Sequence, residues 1–250
     1  MKKLLFVLLS CVLIFVLIAC GADTDSKNNT DETKGTANES TAKETPAPDY
    51  TPSAPIDWDE KLAEYKDNAQ VKDLVFIRYI NGTDATLEYY VKDESEKSGF
   101  KLFLTTTADT AKNGIDKQIE GDARTPVGDF GLVRAIGIKE NPGTKLDYLQ
   151  LTDDMYLCND EPETYNTIID CTEVEHFCMG SHLAGIAPDY NYAIDIDYNA
   201  ECEWQKGSGI FLRVRNDKGK KSTGCVATDE ESLVKILKNI NKGARIIIGR

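Results

Sequence analysis

From residue 73 onward the chain reads as short apolar blocks separated by polar turns. DLVFIRYI (73–80), TLEYYV (86–91) and GFKLFLTT (99–106) are rich in β-branched and aromatic residues. Asn/Gly/Asp and Ser/Glu/Lys clusters divide them, the pattern of strands joined by turns. DFGLVRAI (129–136) continues the series. YAIDIDYN (192–199) alternates strictly, with Tyr192, Ile194, Ile196 and Tyr198 on one face and Ala193, Asp195 and Asp197 on the other. GIFLRV (209–214) and ARIIIG (244–249) are further strands. One helix is predicted near the C-terminus. Thr228 is its expected cap, with Glu231 three residues later completing a capping box. Leu233, Val234, Ile236, Leu237 and Ile240 form its apolar stripe, and Gly243 fits its stop signal. A weaker helical pattern covers 57–70. The sum is a mainly β domain over 74–250, with 58–73 as a short helical lead-in.

The N-terminal part is organised differently. Residues 21–57 contain no Val, Leu, Met, Phe or Trp and are dominated by Thr, Ser, Asn, Asp, Glu, Lys and Pro. Such a stretch cannot bury enough apolar surface to offset the entropy of ordering it, so a disordered tether is expected. Upstream, MKK precedes sixteen uncharged residues ending LIA, then Cys20, Gly21 and Ala22. This resembles a bacterial lipoprotein signal. The resemblance implies that 1–19 are removed, that Cys20 carries the lipid, and that the domain faces outward from the membrane surface. Residues 20–57 would then be the lipidated cysteine and its linker, with two acyl chains giving stable anchoring.

Composition adds two limits. Lys and Arg number 29 against 42 Asp and Glu, a formal net charge of -13. Nucleic acid is an improbable partner, because phosphate binding requires a basic stripe. Cysteine parity matters too. Of seven cysteines, Cys11 leaves with the signal and Cys20 is lipidated, so five remain in an oxidising compartment. Cys158, Cys171, Cys178 and Cys202 are the candidates for disulfides, in any of three connectivities, and parity leaves one of the five free. Cys171, His176, Cys178 and His182 follow a C-x4-H-x-C-x3-H spacing. That matches no common zinc pattern, and no metal is expected there.

The candidate chemistry sits in two segments. Arg124-Thr125-Pro126 is followed by Gly128 and Phe130, and a hundred residues later comes Ser222-Thr223-Gly224-Cys225. Together they resemble the catalytic domain of L,D-transpeptidases, the enzymes of bacterial cell-wall crosslinking. GSHL (180–183), YAIDIDYN and GSGIFL add to the likeness, which extends over about 74–249. The resemblance implies an L,D-transpeptidase-like β-sandwich with one helix following the cysteine motif. It also implies acyl transfer between peptidoglycan stem peptides through a Cys225 thioester, without a cofactor. Thiolate is a strong nucleophile and a good leaving group, as such a reaction requires. Gly224 lets the backbone turn, and Ser222, Thr223 and Gly224 are placed to present oxyanion or substrate contacts.

The chain departs from the family at its base. The family's histidine position reads Arg213, and Thr223 replaces the histidine that often precedes Gly-Cys. An arginine stays protonated and cannot accept the proton, but it can stabilise a thiolate. His182 is the candidate base from another loop. The alternative is a wall-binding lipoprotein of the same fold that has lost turnover. Asp195 and Asp197, paired on one strand face, read as a solvated edge rather than as a glycosidase pair.

Overall fold

The computed structural model describes residues 48, 50–174, 180–216 and 218–250. The signal segment, Cys20, most of the tether, His176 and Cys178 lie outside the described residues. Pro46–Arg250 forms one compact unit.

The fold is mainly β. In chain order it comprises α1 (Trp58–Tyr65), β1 (Asp73–Asn81), β2 (Asp84–Lys92), β3 (Phe100–Asp109), β4 (Gly128–Gly137), β5 (Asp147–Gln150), β6 (Met155–Cys158), β7 (Thr167–Asp170), β8 (Ser181–His182), β9 (Ala193–Ile196), β10 (Phe211–Val214), β11 (Val226–Thr228), α2 (Glu230–Asn239) and β12 (Arg245–Gly249). The main sheet runs β12-β1-β2-β3-β11-β10-β9-β4-β5, and β12 also pairs with β4. That last pairing closes the sheet into a barrel-like ring with β5 outside it. Closure leaves the ring strands no free edge for intermolecular pairing. A separate three-stranded sheet, β7-β6-β8, sits apart from the ring.

The alternation read from 192–199 decides which side of β9 is core. Ile194 and Ile196 join the large apolar cluster with Leu212, Val226, Leu233 and Ile246, and Tyr192 and Tyr198 pack on its margin. The opposite face of β9 carries Ala193, which belongs to a second, smaller cluster with Phe211, Tyr190, Leu183 and Cys225. The two aspartates on that face are structural. Asp195 meets Arg134 at 3.1 Å, and Asp197 accepts the Gly131 amide at 2.6 Å.

The C-terminal helix begins one residue later than the sequence suggests. Its cap is Asp229, whose Oδ1 accepts the Ser232 amide at 2.8 Å. Thr228 ends β11 instead and donates its hydroxyl to the Thr107 carbonyl at 2.9 Å. Tertiary bonding of the threonine to β3 therefore overrides its capping preference. The helix also stops at Asn239, short of Gly243, whose φ of 87° turns the chain into β12.

Burial works to raise the Asp229 pKa, but bonds from Ser232 and Thr106 outweigh it and hold the carboxyl below its usual range. A depressed folded-state pKa means stability that is complete above the unfolded value, near 3.9, and lost as the pH falls through the folded one. Asp229→Ala is expected to cost about 1 kcal/mol at pH 7. Urea unfolding should show a lower midpoint at unchanged slope, with the difference closing toward pH 2.

The tether ends sooner than composition implies. Ile56 donates its amide to the Arg250 carbonyl at 2.6 Å and packs over Gly249, and the Arg124 guanidinium lies 4.2 Å above the Tyr50 ring. Residues 50–57 thus lie against the domain. Among the described residues, no helix is long and apolar enough to cross a membrane.

Candidate functional site

Three neighbouring strands build the site floor. β10 pairs in parallel with β11 (Leu212 opposite Val226, Arg213 opposite Ala227) and antiparallel with β9 (Arg213 opposite Ala193). Leu212 and Val214 point into the main core, so Phe211 and Arg213 share the other face. Cys225 immediately precedes β11 and comes down beside them. The structure buries Arg213, at 5% exposure.

A buried guanidinium requires a partner. Asp189 supplies it, with Oδ2 2.8 Å from an Arg213 terminal nitrogen and both side chains nearly inaccessible. Oδ1 of Asp189 accepts from the Asn216 amide at 2.6 Å, and Arg213 also donates to the Val214 carbonyl at 2.8 Å. The adjacent Tyr190 stands edge-on to Phe211, ring centres 5.6 Å apart, with the Arg213 guanidinium 5.9 Å from its own centre.

Cys225 carries a free thiol, 6% exposed, and donates to the Gly209 carbonyl at 3.3 Å. The Tyr190 hydroxyl and the Arg213 guanidinium are electrostatic neighbours of its sulfur. Burial, and then the neighbouring sulfur, hold the Tyr190 hydroxyl well above the usual phenol range, against the pull of Arg213. Burial works to lower the Arg213 pKa, but Cys225, Tyr190 and Asp189 outweigh it and raise it. Cys225, Tyr190, Arg213 and Asp189 all line one cleft of about 220 Å³, with Lys220 and Lys221 also on its wall.

Two glycines shape it. Gly209 has a φ of 59°, and a Cβ there would lie 2.2 Å from Leu157 Cδ2. A Cβ on Gly224 would lie 2.5 Å from Ile210 Cδ1 and 3.8 Å from the Arg124 carbonyl. The two sequence segments therefore meet. Thr125, fully buried, accepts the Ala111 amide at 2.8 Å, and Lys112 donates its amide to the Ser222 carbonyl at 2.9 Å.

Of the expected oxyanion contacts, Ser222 donates its hydroxyl to the Cys225 carbonyl at 2.5 Å and accepts the Gly224 amide at 3.4 Å. Both residues serve the turn itself, while Thr223 is exposed on the cleft wall. His182 is placed elsewhere. It stacks on Tyr156 at 4.9 Å in the small sheet, its Nε2 3.9 Å from Asp153, and it does not line the cleft. The pairing of β8 with β6 fixes it there.

The disulfide expectation is corrected in part. Cys171 and Cys202 are free thiols. Cys158 lies 3.3 Å from an Asp160 oxygen and 3.0 Å from the Thr164 hydroxyl. Among the described residues no cluster of metal-ligating side chains occurs. Tyr190 and Asp189 were missed by sequence reasoning. A strand arginine flanked by apolar residues signals that an acid must face it, but nothing in the sequence selects Asp189 among the 42 acidic residues.

No family model and no curated protein matches the chain. Among solved structures it is similar to a cysteine-to-serine variant of an Enterococcus faecium L,D-transpeptidase, at 14% identity and a TM-score of 0.31, over 71% of this chain. The chain spans about half, 49%, of that structure's length.

Proposed function

We propose that this domain is a cysteine-dependent acyltransferase of the L,D-transpeptidase kind, acting on peptidoglycan stem peptides from an outer-face lipid anchor at Cys20. The observation that carries the reading is the Cys225 thiol lining one cleft together with Tyr190 and the buried Arg213 cation. Arg213 serves as counter-ion to the thiolate. Cys225 attacks the carbonyl at an L-centre of the stem, D-alanine departs, and an amine of a second stem or water resolves the thioester.

A second reading is a wall-binding module of the same fold without turnover. Two observations favour it: among the described residues no imidazole lines the cleft, and Arg213 is committed to Asp189. One experiment separates the two. The full chain is incubated with a carbapenem and then, separately, with a tetrapeptide stem. The enzymatic reading expects one covalent adduct, mapped to Cys225 by mass spectrometry and absent from Cys225→Ser, together with D-alanine release from the stem. An adduct without D-alanine release leaves the binding module; no adduct at all removes Cys225 as an acyl acceptor.

A further inference from the structure

A cysteine sulfur can attack an amide carbonyl, but the amide is not cleaved until its nitrogen is protonated. The cleft wall narrows the candidates for that proton. Lys117 is held 2.9 Å from Asp122 in a buried ion pair. Glu120 already accepts the hydroxyls of Tyr165 at 2.5 Å and Ser208 at 2.8 Å. Asp189 is taken up by Arg213 and Asn216. Lys221 lies 3.2 Å from Asp109, and Lys220 is exposed.

Resting on the acyl-transfer reading, we propose that Tyr190, which lines the same cleft as Cys225 with its ring 5.6 Å from Phe211 and 5.9 Å from the Arg213 guanidinium, is the proton carrier of the Cys225 site. The steps balance. The Cys225 thiol gives up its proton to solvent as the substrate enters, and its sulfur bonds to the carbonyl carbon, giving a tetrahedral oxyanion. As that collapses, the carbon–nitrogen bond breaks and the Tyr190 hydroxyl proton passes to the departing amine. The tyrosinate left behind sits beside the Arg213 cation. An acceptor amine, or water, then bonds to the thioester carbon and returns its proton to Tyr190, and the carbon–sulfur bond breaks to release the thiolate, which takes back a proton from solvent. No proton is gained or lost over the cycle, and the charged groups facing Tyr190, namely Cys225, Arg213 and Asp189, keep their sum. The protonated resting state agrees with the raised Tyr190 pKa, since the hydroxyl must arrive carrying its proton.

The test compares Tyr190→Phe with the wild-type full chain on three reagents. Iodoacetamide expels iodide and an activated aryl ester expels a stable anion, so neither needs a proton donor. A stem tetrapeptide expels an amine and does. Tyr190→Phe is expected to keep iodoacetamide and ester rates within about threefold and to lose about 100-fold on the amide. Equal losses on ester and amide mark a purely structural role and overturn the proposal, as does an unchanged amide rate. A wild-type chain that alkylates but reacts with neither acyl donor overturns the acyl-transfer reading itself. If Tyr190→Phe does not fold by circular dichroism, a wild-type series of anilide donors decides. A shallow dependence on leaving-amine basicity supports proton delivery, and a steep one overturns it.

Discussion

Asp189→Ala is expected to destabilise the fold by about 3–5 kcal/mol. The substitution leaves the Arg213 guanidinium buried at 5% exposure with its counter-ion gone. Desolvation of that charge, already met in the native state, is then no longer compensated. The same change removes the acceptor of the Asn216 amide, so two elements lose their tie to the loop before β9. For a domain of this size the loss corresponds to about 10 °C in Tm. The diagnostic comparison is with Asp189→Leu/Arg213→Leu, which replaces both charges by apolar groups. That pair is expected to recover most of the stability, because a buried ion pair is worth little against a well-packed apolar substitute. Thermal unfolding of both variants checks the prediction, and equal losses would mean that the pair's packing, not its charge, holds the loop.

The recovery of that double variant would also say why the pair is present. It would fold without offering the Cys225 sulfur a cation. Phe211 and Arg213 occupy the face of β10 turned away from the main core, so their placement follows from strand alternation. That part was legible. Phe211 and Arg213 share a face by period two, and the strict pattern at 192–199 assigned Ile194 and Ile196 to the core, where they lie. The long strands were readable because one face of each is apolar over many residues.

What was not legible depends on partners distant in sequence. β5, β6 and β7 are four residues each and carry no alternation long enough to register. Thr228 looked like a helix cap because local pattern cannot anticipate its bond to Thr107, 121 residues away. His182 attracted attention as a base because the chain has only two histidines, but its orientation is set by pairing between β6 and β8 and by stacking on Tyr156. Asp189 and Tyr190 sit after Pro188 in a stretch without periodicity. Only the fold brings them to Cys225.

Replacing the pair by neutral groups of similar shape, Asp189→Asn/Arg213→Met, is expected to slow iodoacetamide labelling of Cys225 at pH 7 by about tenfold. Contact between unit charges about 4 Å apart is worth about 4 kcal/mol at the effective dielectric of buried sites. Asp189 offsets part of the field that Arg213 presents, so the expected effect is well below that of the bare contact and on the order of tenfold. A thiolate freed from the cation is intrinsically more nucleophilic, and this returns part of the loss. The carboxamide introduced by Asp189→Asn keeps an oxygen acceptor for Asn216, so the loop before β9 stays tied and the rate reports electrostatics rather than collapse of the cleft. Because both native side chains are almost inaccessible, the wild-type rate should change little as salt is raised, unlike that of a surface pair. An unchanged labelling rate in the folded double variant would mean that Arg213 is a structural counter-charge for Asp189 and contributes nothing to the sulfur.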